Sequence, residues 1–366
     1  MALLEAHGVN VAYQPTAGQH IWAVRELDLD LAAGEFVGLV GESGCGKSTL
    51  GFALTRMLRP PAHLEGGSIV FDGTDISELD GEELRAQRRN GFALVLQSGM
   101  NALNPVRTIG HHFGDILKAH RRPGEHLDRV AIHRRGADLL NRVKLDESVL
   151  ERYPHELSGG MRQRTSIALA LSWEPRMIVF DEPTTALDVI VQNDVMQTIK
   201  ELQHQQNFTG LLISHDLGVV LEATDRMLVM YAGKIVEDQP SGELLVGPHH
   251  PYTEALLNCY ADPRAEEVQL GEIKGSPPDL SQELRGCAFA PRCPLVIDIC
   301  WDVEPPLAPL GHGRAACHVR APDPAVVAGW TPPAEQVGPE PTPEPAASSP
   351  MTAGPSATLP GVADVH

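Results

Sequence analysis

Apolar and polar positions alternate through the first 32 residues, as in Val9-Asn-Val-Ala-Tyr13 and Leu27-Asp-Leu-Asp-Leu31. This period of two predicts strands with one face on a core, set antiparallel beside the strand that follows. That next strand, Phe36 to Val40, is apolar throughout and breaks at Gly41 into a glycine-rich loop and a helical stretch from Leu50 to Met57. Residues 68–72 return to the alternating pattern, and Phe92-Ala-Leu-Val-Leu96 is a second apolar run. From about Ile109 to Val149 the spacing is helical, and Met161 to Leu171 predicts another helix with Ser158 as its N-cap. Further strands are expected at 178–181, 210–215 and 226–236. Continuously apolar strands alternating with helices imply an α/β chain whose mixed sheet has a buried parallel part.

Composition narrows the picture. The 366 residues suit one large domain with an appendage or two domains, and 42% apolar content suffices for a core. A net charge of -19 argues against nucleic acid as a partner. No run of 18 apolar residues predicts a transmembrane helix, and the start has no basic-then-apolar leader. A cytosolic chain is therefore expected, which would serve a membrane only by docking on other subunits. Residues 321–366 hold 11 of the 30 prolines and no Lys or Arg, which predicts a disordered tail.

Three strings carry chemistry. The first, Gly41-Glu42-Ser43-Gly44-Cys45-Gly46-Lys47-Ser48-Thr49, lies between a predicted strand and a predicted helix. That context lets glycine backbone approach phosphate and point its N–H groups inward, with the helix start adding partial positive charge. Lys47 is expected at the β- and γ-phosphates of ATP and Ser48 at Mg²⁺. The third string, Met177-Ile-Val-Phe-Asp181-Glu182, ends an apolar strand in two carboxylates, where open α/β sheets bind ligands. Asp181 is expected to hold Mg²⁺ and Glu182 to polarise the attacking water. The second, Leu157-Ser158-Gly159-Gly160, opens a helix and forms a second anion site. One ATP does not need two such sites from one chain, so this one is read as covering ATP held by another copy of the fold.

Four of the six cysteines, Cys287, Cys293, Cys300 and Cys317, fall within 31 residues. Their spacing fits neither a short zinc knuckle nor a ferredoxin run. A [4Fe–4S] cluster, a zinc ion with His312 or His318 as a substitute ligand, buried free thiols and disulfides all stay open on spacing alone. Cys45, inside the phosphate loop, is read as a small packing residue.

With the three strings in this order, the chain resembles the nucleotide-binding subunit of an ATP-binding-cassette (ABC) transporter over about residues 3–320. The resemblance implies a P-loop NTPase fold with a mixed-sheet core, an antiparallel β-subdomain, a helical subdomain at about 98–172 and a small Cys-containing extension. It divides the chain at 1–240, 241–320 and 321–366. It makes Gln97 the glutamine that senses Mg²⁺ and contacts membrane subunits. Ala186-Leu187-Asp188 becomes the D-loop, His215 the switch histidine at the γ-phosphate, and Tyr13 the adenine-stacking aromatic, with Trp22 as the alternative. Gly286-Cys-Ala-Phe-Ala-Pro-Arg-Cys-Pro, Arg152-Tyr-Pro-His-Glu-Leu, Leu103-Asn-Pro, His250-Pro-Tyr-Thr-Glu-Ala-Leu and Gly275-Ser-Pro-Pro resemble oligopeptide and dipeptide importer ATPases in particular. In some members of that subgroup the extension is associated with an iron–sulfur cluster. Gln97-Ser98-Gly99 departs from the subgroup's Gln-Asp-Pro. The resemblance implies ATP hydrolysis that powers peptide import at the cytoplasmic face of the membrane. It also implies a second ATPase subunit, two permease subunits and, indirectly, an extracytoplasmic peptide-binding protein. The alternatives are a soluble ABC-type ATPase and an importer of another small solute such as nickel.

Overall fold

Strand polarity follows from where the apolar residues can be buried. In the computed structural model, which describes residues 2–15, 20–96, 103–121, 124, 126–185, 187–259 and 271–331, the described strands form two sheets. The alternating N-terminal segments become β1 (Ala2–Tyr13) and β2 (Ile21–Ala32). They pair antiparallel, and β4 (Ala62–Phe71) and β5 (Thr74–Asp75) complete that sheet in the order β2-β1-β4-β5. The larger sheet runs β11-β12-β10-β9-β3-β8-β7-β6. Its members are β3 (Phe36–Val40), β6 (Phe92–Val95), β7 (Met177–Asp181), β8 (Thr209–Ile213), β9 (Arg226–Tyr231), β10 (Lys234–Pro240), β11 (Ala308–Leu310) and β12 (Gly313–Ala315). The run from β9 through β6 is parallel, and β10, β12 and β11 add antiparallel.

Every residue of β3, β7 and β8 is buried, because both faces are covered. The period of two divides them between two cores. Val37, Leu39, Met177, Val179, Leu211 and Ile213 face a core shared with the antiparallel sheet and with helix α1 (Lys47–Leu54). Helix α2 (Gly81–Gly91) contributes no residue to either core. Phe36, Ile178, Phe180 and Leu212 face the other core, shared with α3 (Ile109–Ala119), α4 (Arg129–Arg142), α5 (Gly159–Ala170), α6 (Val189–Gln206), α7 (Leu217–Ala223), α8 (Ser241–Leu244) and α9 (Pro251–Asn258).

Three expectations change. The helical run from 109 to 149 is interrupted between α3, which ends at Ala119, and α4, which starts at Arg129; Gly124 between them has φ of 85°, outside the helical region. The stretch 226–236 is a hairpin, not one strand: Ala232 and Gly233 have φ of 48° and 84°, the left-handed pair of a two-residue turn. The tail expected from 321 begins with a helix, Pro324–Gly329, capped by Asp323, whose side chain accepts the Ala325 N–H at 2.8 Å. Residues 332–366 lie outside the described residues. Beyond residue 240 the chain stays attached to the core, since β12 pairs with β10 through Glu237↔Ala315 and Asp238↔Arg314.

Candidate nucleotide site

Register levels the functional ends of three strands. Leu39 pairs with Ile213 and Ile213 with Asp181, so the phosphate loop, the two carboxylates and the segment leading to His215 leave the sheet along one edge. There they border an open cleft of about 660 Å³ lined by Tyr13, Ser43, Gly44, Gly46, Lys47, Ser48, Thr49, Glu182, Thr185 and His215, among others. The loop needs its glycines. Gly46 has φ of 109°, and a Cβ there would lie 2.1 Å from the Ala23 carbonyl oxygen. Gly41 is as tightly confined, 2.2 Å from the Met230 carbonyl oxygen.

Lys47 is buried, and its Nζ donates to the carbonyls of Gly41 at 2.7 Å and Glu42 at 2.9 Å. Its ammonium thus sits inside the loop's curve. Cys45 is buried beneath the loop with Sγ 3.8 Å from that ammonium, and burial raises its thiol pKa. Ser48 Oγ donates to Asp181 Oδ1 at 2.8 Å, uniting residues 133 positions apart. Burial raises the Asp181 carboxyl pKa, with the neighbouring Glu182 adding to the rise and Ser48 and Lys47 opposing it. A hydroxyl and a carboxylate are hard oxygen donors, and Mg²⁺ is commonly held by one or two such groups plus phosphate and water, so this pair fits it. When bound, the ion would neutralise charge on the phosphates.

Glu182 sits at φ of 47°, an uncommon conformation for a residue with a Cβ, which its N–H bond to Ile213 O at 2.9 Å helps to hold. Its Oε2 accepts from Thr185 Oγ1 at 2.9 Å, and its Oε1 lies 3.4 Å from His215 Nδ1. Thr185, not singled out in the sequence, orients the carboxylate; its place three residues beyond Glu182 was the available signal. Tyr13 lines the cleft, and its hydroxyl shares a 2.9 Å hydrogen bond with Thr49 Oγ1. Trp22 stacks on His20 at 5.8 Å and does not line this cleft.

Ser158, Gly159, Gly160 and Asp188 do not line it either. Ser158 caps α5, accepting the Met161 N–H at 3.3 Å. Asp188 caps α6, accepting from Val191 N at 3.0 Å. The two helix starts touch: a Cβ on Gly160 would meet Val191 Cγ1 at 2.4 Å. Gln97 and Ala186 lie outside the described residues.

The structure narrows the cysteine expectations. All six cysteines are free thiols, which removes the disulfide alternative. Among the described residues no group of three or more His, Cys, Asp or Glu side chains is gathered to hold a metal ion, so neither zinc nor [4Fe–4S] is supported. Of the two histidines considered for zinc, His312 bonds Glu243 through Nδ1 at 2.7 Å, and His318 bonds the Val303 carbonyl through Nε2 at 2.8 Å while its Nδ1 is buried without a hydrogen-bond partner. Among the described residues no helix is long and apolar enough to cross a membrane.

Comparison with known proteins agrees with this geometry. Residues 24–185 match the ABC transporter family, and residues 236–300 match the oligopeptide/dipeptide transporter C-terminal region. The chain is 38% identical over 314 residues to the oligopeptide transport ATP-binding protein OppD of Salmonella typhimurium, spanning 85% of this chain and 92% of that protein. It is 40% identical over 295 residues to the oligopeptide transport ATP-binding protein AppD of Bacillus subtilis, spanning 80% and 89%. Among solved structures, the dimeric post-hydrolysis state of an ATP-binding cassette bound to ADP and Pi is similar with a TM-score of 0.59 and 27% identity, covering 65% of this chain and 98% of that one. With this fold, this cleft and these relatives, the chain belongs to the ABC transporter ATP-binding family and carries its oligopeptide/dipeptide transporter C-terminal region.

Proposed function

We propose that this chain is the ATP-hydrolysing subunit of a peptide importer, working at the cytoplasmic face of the membrane as one of two facing cassettes docked on permease subunits. One observation carries the catalytic part: Ser48 and Asp181 meet at 2.8 Å beside Lys47, on the rim that Glu182 and His215 share. The relatives' names and the matched C-terminal region support peptide as cargo.

In this reading Tyr13 stacks on adenine, and the backbone N–H groups of residues 43–49 hold the phosphates. Lys47 turns from the Gly41 and Glu42 carbonyls toward phosphate oxygens, a charge-assisted exchange. Glu182, held through Oε2 by Thr185, uses its other oxygen to polarise water. His215 and Lys47 stabilise the charge that develops on the γ-phosphate. Ser158, Gly159, Gly160 and Asp188 act on the partner's nucleotide. Their absence from this chain's own cleft supports that, as do Val189 and Ile190 beside Asp188, apolar yet 73% and 76% exposed. The Gln97 region passes closure to the permeases, and tighter binding of ATP than ADP to the closed pair supplies the coupling. Glu182→Gln should retain ATP binding and lower steady ATPase activity roughly 10²–10⁴-fold. Undiminished turnover in that variant would refute the assignment.

The four extension cysteines support a narrower proposal, a [4Fe–4S] group without a role in hydrolysis. Burial raises the Cys287 thiol pKa to about 12, and Cys300, Cys293 and Cys317 add to the rise. Cys293 and Cys317 Sγ each accept a backbone N–H at 3.4 Å, from Leu295 and Arg320, as cluster thiolates do. A cubane also spreads its ligands more widely than a single ion. Anaerobically purified protein should contain iron and sulfide and absorb near ~400 nm; colourless, iron-free protein rules the group out.

A further inference from the structure

The extension reaches into the phosphate loop. Arg292 lies in the short turn between Cys287 and Cys293, yet its guanidinium meets Glu42, the second residue of the loop, 250 positions earlier. The pairing is bidentate, Nη1 to Oε2 at 2.6 Å and Nη2 to Oε1 at 2.9 Å. The remaining donors are also used: Nε to the Lys274 carbonyl at 2.9 Å, Nη1 to Tyr231 Oη at 3.2 Å and Nη2 to the Ile273 carbonyl at 3.2 Å. All five N–H groups of the fork are therefore satisfied, and the side chain is only 4% exposed. Arg292 also packs over the Tyr231 and Phe289 rings, 5.9 Å and 6.0 Å from their centroids. A second hold comes from α9, where Tyr252 Oη accepts the Glu42 backbone N–H at 2.8 Å. The third polar group of the same residue, its carbonyl, holds Lys47 Nζ.

Glu42 is thus gripped by side chain and N–H from the extension while its carbonyl positions the lysine expected at the phosphates. An exposed ion pair would do little, but a partly buried, planar, bidentate one whose guanidinium is fully satisfied fixes geometry. We propose that Arg292 is a positioning residue of the nucleotide site: through Glu42, and with Tyr252, it sets the curve of the phosphate loop that receives ATP. This rests on the nucleotide reading of residues 41–49 given above. It also gives the extension a mechanical part in ATP binding that is independent of any group its cysteines hold.

The test is MgATP affinity of the purified full chain, measured by competition against a fluorescent ATP analogue, together with KM and kcat. Arg292→Met and Glu42→Gln should each weaken MgATP binding and raise KM about tenfold, with kcat changed less. Arg292→Lys, which keeps the charge without the fork, should fall between wild type and Arg292→Met. The double variant should be no worse than either single one, because both break the same pair. If Arg292→Met melts earlier but binds MgATP like wild type, the residue is merely structural and the proposal is wrong. Multiplying effects in the double variant overturn it as well. Should Arg292→Met fail to fold, Glu42→Gln and Tyr252→Phe carry the test from the loop side, and unchanged affinity in both defeats it. Lys47→Ala separates the two readings: if it too binds MgATP normally, the nucleotide site itself is misassigned, whereas loss there with normal Arg292→Met removes only the clamp.

Discussion

His250 shows how one buried side chain makes stability depend on pH. It caps α9, its Nδ1 accepting the Tyr252 N–H at 3.0 Å, and its other ring nitrogen bonds the Ala316 carbonyl. Both nitrogens are committed to the neutral ring, and the residue is 2% exposed. Burial lowers its pKa from 6.5 to about 3, with Arg320 assisting and the Ala316 bond opposing. Above pH 6.5 folded and unfolded chains both carry neutral imidazole, so stability is undiminished there. Below 6.5 the unfolded chain takes a proton that the folded one refuses, so stability falls as pH drops, by about 1.4 kcal/mol per unit until the folded value is reached. His250→Asn preserves a capping oxygen and removes the titration. Denaturant unfolding at pH 7 and pH 5.5 should therefore show a loss about 1–1.5 kcal/mol larger in wild type than in this variant. Parallel losses in both proteins would mean that His250 is not held neutral.

Among the elements, those that periodicity specifies were legible. β3, β7 and β8 were visible as unbroken apolar runs because both their faces are covered, and β1 and β2 as alternation because their inner face packs on α1. Ser158 was legible as a cap because capping is local chemistry. Elements whose existence depends on distant partners were not. β11 and β12 are three residues each, with Pro309 and Gly311 in or beside them, and they exist because β10 offers an edge. The turn at Ala232 was hidden because alanine rarely takes φ of 48°. The same divide runs through the site. Lys47, Ser48, Asp181 and Glu182 announce themselves by motif, but the Glu42–Arg292 pair joins two quoted strings 250 positions apart, and nothing local in either string points to the other.

At the scale of the molecule, one charged network ties the antiparallel sheet, the main sheet and the extension together. Asp238 on β10 is 4% exposed and accepts from Arg226 on β9, Nε to Oδ1 at 2.6 Å and Nη2 to Oδ2 at 2.9 Å. Arg314 on β12 donates Nε to the same carboxylate at 3.0 Å, and both arginines reach Asp30 on β2. Burial alone would raise the Asp238 pKa; the two guanidiniums more than offset it and leave the carboxyl below its usual range. A depressed carboxylate stabilises the fold above the unfolded value of about 4, and that stability is lost only as pH falls through the folded value. Asp238 therefore contributes nothing to the loss between pH 7 and 5.5 assigned to His250. Asp238→Asn keeps the shape but leaves two guanidiniums around a neutral acceptor, which should cost roughly 3 kcal/mol at neutral pH and leave the slope between pH 7 and 5.5 unchanged. Because the network joins β2 of one sheet to β9, β10 and β12 of the other, hydrogen exchange in this variant should speed up in β2 and β12 together. A cost below about 0.5 kcal/mol, or faster exchange in β12 alone, would show that water already screens the network and that the extension is held by its strand pairing.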